Sequence, residues 1–176
     1  REMVGIFDLS RQVLNLPLAL LGITISQVLL QNLAEKKNQS QPVISQMKGI
    51  LIFLFLFIAI EIFVIQLFGP GLFGWAFGDP WRTSGEVSKL LVINFSLNFL
   101  MSSVTAVFTA FRRIKLYSIW QVSYFIAITS LVFLSEPTLN AFLRTYVIID
   151  SVMLILGILL AIKVIASYEK QRRPEN

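Results

Sequence analysis

The sequence has 176 residues, of which 56% are hydrophobic and 14% charged, and its formal net charge is +5. A soluble domain carries roughly 25% charged residues, so this chain has too few to cover a surface that faces water. It contains no cysteine and no histidine, which excludes disulfides, Cys/His zinc sites, thiol nucleophiles and histidine general bases. We therefore expect no catalytic site, no metal and no cofactor.

The apolar residues come in five long blocks, each close to the roughly 20 residues that cross about 30 Å of hydrocarbon as a helix. Lipid offers the backbone no hydrogen-bonding partners, so the spans are predicted to be helices rather than open strands. The predicted spans are residues 12–33, 49–68, 87–110, 116–134 and 141–165. The predicted fold is an all-α integral membrane bundle of about five transmembrane helices, surrounded by the lipid bilayer.

The connections between the spans differ in charge. Residues 34–48 form a basic loop, 69–86 an aromatic, Gly-rich interfacial loop, 135–140 an acidic turn and 166–176 a charged tail. Ten of the fifteen Lys and Arg residues fall on one side: Lys36, Lys37, Lys48, Arg112, Arg113, Lys115, Lys163, Lys170, Arg172 and Arg173. The positive-inside rule places that side, with loop 34–48 and the tail, in the cytoplasm, and the 69–86 loop outside. Because the charge clusters between spans, we expect no nucleic-acid partner.

The first span begins with three polar residues at helical spacing, Asp8, Arg11 and Asn15. They share one face, which could bring a guanidinium into a central cavity, where it would bind phosphate through two parallel hydrogen bonds. The alternative is that Asp8 and Arg11 neutralise each other at the membrane interface.

The third span carries a polar stripe with steps of four, four, three and four residues. Its members are Asn94, Asn98, Ser102, Thr105 and Thr109. Such a stripe could form the wet wall of a sugar-binding cavity, since polar groups within a membrane usually face the bundle interior or water. It could equally serve hydrogen bonding between helices.

Glu61 and Asp150 are the remaining carboxylates within the predicted spans. Intramembrane carboxylates often bind the proton or cation of a coupled transporter, and both residues are candidates for that role. The alternative is a structural or interfacial role for each.

Three stretches carry a resemblance to a known family. They are residues 4–11 (VGIFDLSR) with 16–18 (LPL) and 25–29 (ISQVL); 67–69 (LFG) with 77–85 (FGDPWRTSG); and 112–115 (RRIK) with Trp120 and Gln121. In order and spacing the chain resembles the C-terminal part of the polysaccharide biosynthesis, or O-antigen, flippases, which belong to the multidrug/oligosaccharidyl-lipid/polysaccharide exporter superfamily.

The resemblance implies a fold of twelve helices in two lobes around a cationic cavity. This chain would supply helices eight to twelve, and its partner would be a missing N-terminal lobe of the same protein. Arg11 matches the family's arginine in helix eight and would contact the lipid pyrophosphate, whereas Asp8 departs from the pattern. Arg112, Arg113 and Lys115 match the family's basic cytoplasmic turn. Since the chain begins with Arg1 rather than Met, we also expect it to be a piece of a longer protein.

The resulting functional hypothesis is a flippase that moves undecaprenyl-pyrophosphate-linked oligosaccharide, an O-antigen or capsule repeat unit, across the bacterial inner membrane. A drug/cation antiporter or a peptidoglycan-precursor flippase of the same superfamily is an alternative. A membrane-embedded polysaccharide polymerase or glycosyltransferase is a second one. Such enzymes usually carry their catalytic residues on a large loop outside the membrane, and the 69–86 loop is too small for that.

Overall fold

The computed structural model of the chain describes residues 2–133 and 139–172, and the side chains of 5–133 and 141–172. Its helices are α1 (Glu2–Asn38), α2 (Ile44–Phe77), α3 (Arg82–Val104), α4 (Ala106–Ala110), α5 (Ile114–Ser130) and α6 (Leu139–Arg172), with short 3-10 turns at Asp79–Trp81 and Leu131–Phe133. In these ranges five helices are long and apolar enough to cross a membrane, the third being α3 and α4 together. The prediction of an all-α membrane bundle is confirmed.

The helices extend beyond the predicted spans. Where a loop over 69–86 was predicted, α2 continues to Phe77, and only Gly78 (φ +99°) and one 3-10 turn separate it from α3. Pro70 lies inside α2. The loop prediction was wrong because Pro and Gly are tolerated in membrane helices, where neighbouring helices satisfy the backbone groups that Pro leaves free.

The connection predicted over 34–48 shrinks to residues 39–43, between Asn38 and Ile44. The predicted tail is helical as far as Arg172, because its side chains pack against the 39–43 connection. Residues 135–138 of the predicted acidic turn and 173–176 of the tail lie outside the described residues, as does Arg1.

Helix α3 is the centre of the bundle and packs against α1, α2 and α6. In its most apolar stretch 61% of the residues are buried, against 17% in α2, whose other residues are exposed or half-buried. Lipid tails are as apolar as leucine, so close packing rather than the hydrophobic effect holds such helices together. The position of α3 therefore determines where the remaining helices can pack.

Two glycines allow neighbouring helices to pack closely, one against a backbone and one against a side chain. A Cβ at Gly85 of α3 would lie 2.5 Å from Cα of Pro70 in α2, and a Cβ at Gly157 of α6 would lie 2.7 Å from the Trp120 ring of α5. Such contacts are typical of membrane helices, whose interfaces are enriched in small residues.

The end of the bundle that carries the 39–43 and 111–113 connections, here called the basic end, is held by side chains that bond to helix termini. Glu169 accepts hydrogen bonds from the backbone N–H groups of Val43 (2.7 Å) and Ile44 (3.3 Å) at the start of α2. Lys37 donates to the carbonyl of Ala110 (2.8 Å) at the end of α4. Both contacts satisfy backbone groups that a helix end leaves without intrahelical partners.

Candidate functional site

A polar groove runs along the face of α3 between α1 and α5. It consists of two open recesses, of about 330 Å³ between α1 and α3 and about 380 Å³ between α3 and α5. Its polar lining, which defines the groove below, comprises Asn15, Ser26, Gln27, Asn98, Ser102, Thr105 and Gln121. Ser26, Asn98 and Ser102 line both recesses, which makes the groove continuous. Each recess has a volume at the lower end of the roughly 300–1,000 Å³ of known ligand pockets.

The groove exists because the helical period places polar residues of α3 on one face and small residues of α1 opposite them. Gly22 of α1 lies against Phe99 and Ser102, which brings α1 close to α3 below Asn15. The hydroxyls of Ser102 and Thr105 donate to backbone carbonyls of their own helix, each at 2.8 Å. These hydroxyls retain acceptor capacity toward the groove.

The groove amides are available to a ligand. Within the described ranges, the side chains of Asn15, Gln27, Asn98 and Gln121 make no hydrogen bond to the protein, and all four residues are exposed. Each amide offers donors and an acceptor. Tyr117, Trp120 and Tyr124 form the α5 side of the second recess. Because every residue lining the two recesses is uncharged, the groove suits a neutral polar ligand better than an ion.

Arg11 and Asp8 lie on α1 just before Asn15, beyond the end of the groove rather than in its lining. They form an ion pair of 3.5 Å, with 58% of the Arg11 side chain and 48% of the Asp8 side chain exposed. The structure thus contains the Asp8–Arg11 ion pair that was the alternative to a phosphate-binding Arg11. Arg11 nevertheless precedes Asn15 by one helical turn, so it lies next to the mouth of the first recess.

The structure divides the predicted polar stripe of the third span. Asn98, Ser102 and Thr105 line the groove, but Asn94 is buried and donates a hydrogen bond to Asp150 of α6. Thr109 is exposed and lies outside the lining of both recesses. A step of four residues advances a helix by slightly more than a full turn, and α6 covers the Asn94 position.

The two intramembrane carboxylates have different surroundings. Asp150 is 1% exposed and accepts hydrogen bonds from Asn94 of α3 and Tyr124 of α5. Glu61 is half-buried between α2 and α3, where it accepts a hydrogen bond from Ser96 (3.1 Å). Asp150 is therefore linked to the groove through Tyr124, whereas Glu61 lies on the side of α3 that faces α2.

The predicted basic turn lies at the basic end, away from the groove lining. Arg112, Arg113 and Lys115 are exposed, and Arg112 adopts a left-handed conformation (φ +56°) between α4 and α5. Exposed cations at a span end are typical of residues that fix orientation.

Sequence reasoning did not assign Ser26, Gln27, Gln121 or Tyr124 to the site. Ser26, Gln27 and Gln121 lie in the stretches that carry the family resemblance, and Tyr124 lies outside them. The available signal was the polar character of both glutamines inside apolar spans, since such residues usually face water or a partner.

Comparison of the chain with protein-family models, curated proteins and solved structures returns no match.

Proposed function

We propose that the chain is the C-terminal part of a flippase for undecaprenyl-pyrophosphate-linked oligosaccharide, an O-antigen or capsule repeat unit, in the bacterial inner membrane. The basic end and the C-terminus face the cytoplasm, in accord with the positive-inside rule. Transport proceeds by alternating access, with a missing N-terminal lobe closing the groove from its open side. The sugars lie in the groove while the polyprenyl tail stays in lipid.

The observation that carries this proposal is a continuous groove of neutral hydrogen-bonding groups within a bundle of apolar membrane spans. Sugars present many hydroxyls, and four amides without protein partners can bind hydroxyls as donors or acceptors. Polar residues in a membrane are costly, so their concentration between α1, α3 and α5 is best explained by an aqueous ligand path.

Arg11 is the proposed contact for the pyrophosphate. It lies one helical turn before Asn15, next to that end of the groove, and a guanidinium stays charged and can bind two phosphate oxygens at once. A charged headgroup at Arg11 and neutral sugars beside Asn15 and Asn98 would follow the order of these groups in a lipid-linked oligosaccharide.

The drug/cation antiporter remains the second candidate because of Asp150. A buried carboxylate next to an aromatic-lined recess is a feature that binds organic cations. Asp150 is covered by Asn94 and Tyr124, however, and the groove itself offers a cation no carboxylate. The flippase therefore fits the lining better.

Ligand binding tests the proposal on the chain itself. Nanodiscs holding the chain would be titrated with a fluorescent, short-chain polyprenyl-pyrophosphate oligosaccharide, and binding followed by anisotropy. Ser102 lines both recesses, so Ser102→Leu should fill their junction and weaken binding by about tenfold or more.

The matched control is Ser123→Leu, since Ser123 is an exposed serine of α5 that lines a different, apolar recess. The Ser123→Leu variant should bind the oligosaccharide ligand with the same affinity as the unmodified chain. Equal losses in the two variants, or tighter binding of a lipophilic cation than of the oligosaccharide, would argue against the flippase.

Transport is tested in membrane vesicles from cells that lack their own flippase for this substrate and express the whole protein containing this chain. Oligosaccharide should become accessible to a glycosidase on the far side of the membrane. The isolated 176 residues should bind but not transport, because half a cavity cannot alternate. Transport by the isolated chain would contradict the two-lobe mechanism.

A further inference from the structure

A further recess lies between α5 and α6, and its lining is mostly apolar. It measures about 350 Å³, and its walls include Leu116 and Ile119 of α5 and Leu156, Leu159 and Leu160 of α6. Ile119, Leu156 and Leu159 are exposed, so this recess, called the α5–α6 cleft below, opens to the surroundings of the bundle. Those surroundings are the hydrocarbon of the bilayer, which brings acyl chains to the cleft.

Helix α5 has little protein to pack against. In the most apolar stretch of its span 11% of the residues are buried, the lowest share among the five spans of the described ranges. Trp120 is the buried residue of α5; it donates to the carbonyl of Met153 (2.9 Å) and packs against Gly157 of α6. Close packing holds membrane helices together, so a molecule that fills the cleft stabilises α5 through contacts that the protein does not supply.

The length of the cleft matches one leaflet of the bilayer. On α6 its lining extends from Met153 to Lys163, and ten residues at 1.5 Å per residue cover about 15 Å. This is half of the roughly 30 Å that the hydrocarbon core measures. On α5 the lining extends from Leu116 to Ser123, which is shorter still. The acyl chains of a phospholipid occupy one leaflet, whereas an undecaprenyl chain is much longer.

A lysine lies at one end of this apolar lining. Lys163 lines the cleft, is exposed, and takes part in none of the ion pairs within the described ranges. It lies near the basic end, because the Tyr168 ring, five residues later on α6, packs against Phe111 of the 111–113 connection. A lysine at that depth buries its aliphatic stem and extends its ammonium group to the lipid headgroups.

A second lysine lies at the same end of the cleft on the opposite wall. Lys115 is exposed and precedes Ile119 by four residues, so the two share one face of α5. It is the only charged residue of that helix. The carboxylate that follows Lys163 on α6 is Glu169, which pairs with Arg172 and caps α2. The headgroup end of the cleft therefore carries positive charge that a bound anion can balance.

We propose that the α5–α6 cleft is a binding site for one anionic phospholipid from the leaflet at the basic end. An acyl chain lies along the leucines of α6, and the phosphate lies between Lys163 and Lys115. Basic pockets between membrane helices bind anionic headgroups in this way. The site is separate from the groove, since Trp120 lines both recesses and stands between them. The inference does not rest on the proposed function.

Other occupants fit the cleft less well. An α-helix is about 10–12 Å across with its side chains, so a helix of a second copy is too wide for a recess of about 350 Å³. A zwitterionic phospholipid has the same acyl chains, but its ammonium group is repelled by the two lysines at the headgroup end. Charge therefore favours the anionic lipid.

The test uses Trp120 as a reporter, since Trp75→Phe and Trp81→Phe leave it as the sole tryptophan. Nanodiscs of phosphatidylcholine would receive increasing amounts of phosphatidylglycerol with brominated acyl chains, because bromine quenches tryptophan fluorescence on close contact. Half-maximal quenching should need about fivefold less brominated phosphatidylglycerol than brominated phosphatidylcholine. The difference should shrink at high salt, which screens charges at the membrane surface.

Lys163→Gln should lower this preference by about fivefold, since each lysine near the surface contributes that much to the attraction of an anionic lipid. The matched control is Lys48→Gln. Lys48 is an exposed lysine near the start of α2, at the same end of the bundle, and it does not line the cleft. The preference should be unchanged in Lys48→Gln.

Two further variants show which recess the lipid enters. Ser123→Phe fills the far end of the cleft and should weaken quenching by both lipids. Ser102→Leu fills the junction of the two groove recesses and should leave quenching unchanged. Native mass spectrometry of the chain with all three tryptophans supplies a measurement that does not depend on their replacement. One phosphatidylglycerol should remain bound, and Lys163→Gln should release it.

Four results would overturn the proposal: equal quenching of Trp120 by the two lipids, a full preference in Lys163→Gln, an equal loss of preference in Lys48→Gln, or quenching that Ser102→Leu removes and Ser123→Phe does not. Displacement of the brominated lipid by undecaprenyl phosphate at a lower mole fraction than by phosphatidylglycerol would assign the cleft to a polyprenyl tail instead. Loss of quenching only in nanodiscs that hold two copies would assign it to a second copy of the chain.

Discussion

The Glu169 carboxylate, near the end of the last helix, accepts a hydrogen bond of 2.7 Å from the backbone N–H of Val43, at the start of the second. Glu169 is 6% exposed, and its other oxygen pairs with Arg172 at 3.3 Å. A carboxylate at a helix N-terminus satisfies orphan N–H groups and interacts favourably with the helix dipole. The contact joins α6 to α2 although 126 residues separate them.

Replacing Glu169 by Ala should lower the free energy of unfolding by about 1–2 kcal/mol, because the first N–H groups of α2 lose their cap in a buried position. Thermal unfolding in a fixed detergent measures the change. Glu35→Ala is the matched control, since Glu35 is exposed and accepts a hydrogen bond of 3.3 Å from the Gln39 side chain of the same chain segment. A loss in the control as large as in Glu169→Ala would show that the cap is unimportant.

Lys37 should stabilise the end of α4. It donates to the Ala110 carbonyl at 2.8 Å, and its ammonium lies 5.7 Å from the centre of the Phe111 ring. Lys37→Ala should cost about 1 kcal/mol and accelerate amide hydrogen exchange at residues 110–113. Lys36→Ala, at the neighbouring position, should leave exchange there unchanged. Identical exchange in the two variants would contradict the assigned contact.

Gly85 should tolerate no side chain. A Cβ there would meet the backbone of Pro70 at 2.5 Å, so α2 and α3 would have to separate. Gly85→Ala should destabilise the bundle by about 1–3 kcal/mol, the cost of overpacking. Gly71→Ala is the control, because a Cβ at Gly71 would meet nothing within 4 Å. If Gly85→Ala unfolds at the same temperature as the unmodified chain, the close contact between Gly85 and Pro70 is disproved.

Arg11 should matter for the ligand and not for the fold. Its ion pair with Asp8 is exposed on both sides, so Arg11→Gln should change stability by no more than about 0.5 kcal/mol. If the proposed function holds, the variant should bind the pyrophosphate-linked oligosaccharide about tenfold more weakly and the free oligosaccharide equally well. Arg144 lines a separate apolar recess, so Arg144→Gln should leave the affinity for both oligosaccharides unchanged. If Arg11→Gln binds the pyrophosphate-linked oligosaccharide with unchanged affinity, Arg11 does not contact the pyrophosphate.

Hydropathy alone located the spans, because a stretch such as residues 50–60 of α2 is apolar throughout and has only one low-energy structure in lipid. It could not locate the helix ends. Helix α2 passes through Pro70 and Gly74, and helix α6 continues past Glu169 because that side chain finds partners at the start of α2. The neighbouring helices that stabilise these two segments lie far away in sequence. Local composition therefore predicted a loop over residues 69–86 and a tail over residues 166–176.

The periodicity of the third span predicted a polar face and could not say which neighbour covers each position. Asn98 and Ser102 face the open groove, whereas α6 covers Asn94 four residues earlier. Asp150 and Tyr124 could be recognised as polar residues in apolar spans, but their meeting depends on how α5 and α6 pack, through contacts such as Gly157 against Trp120. Tertiary packing therefore decided which polar residues form the groove and which bond to Asp150.

The distance along the chain between Asn94 and Asp150 has a consequence for biogenesis. During synthesis the third span leaves the ribosome long before the last one, and its amide enters the bilayer without the carboxylate that will satisfy it. Only when α6 arrives can the two groups pair. Nascent chains that stop after α5 consequently carry an unsatisfied amide inside the bilayer, where such a polar group is costly.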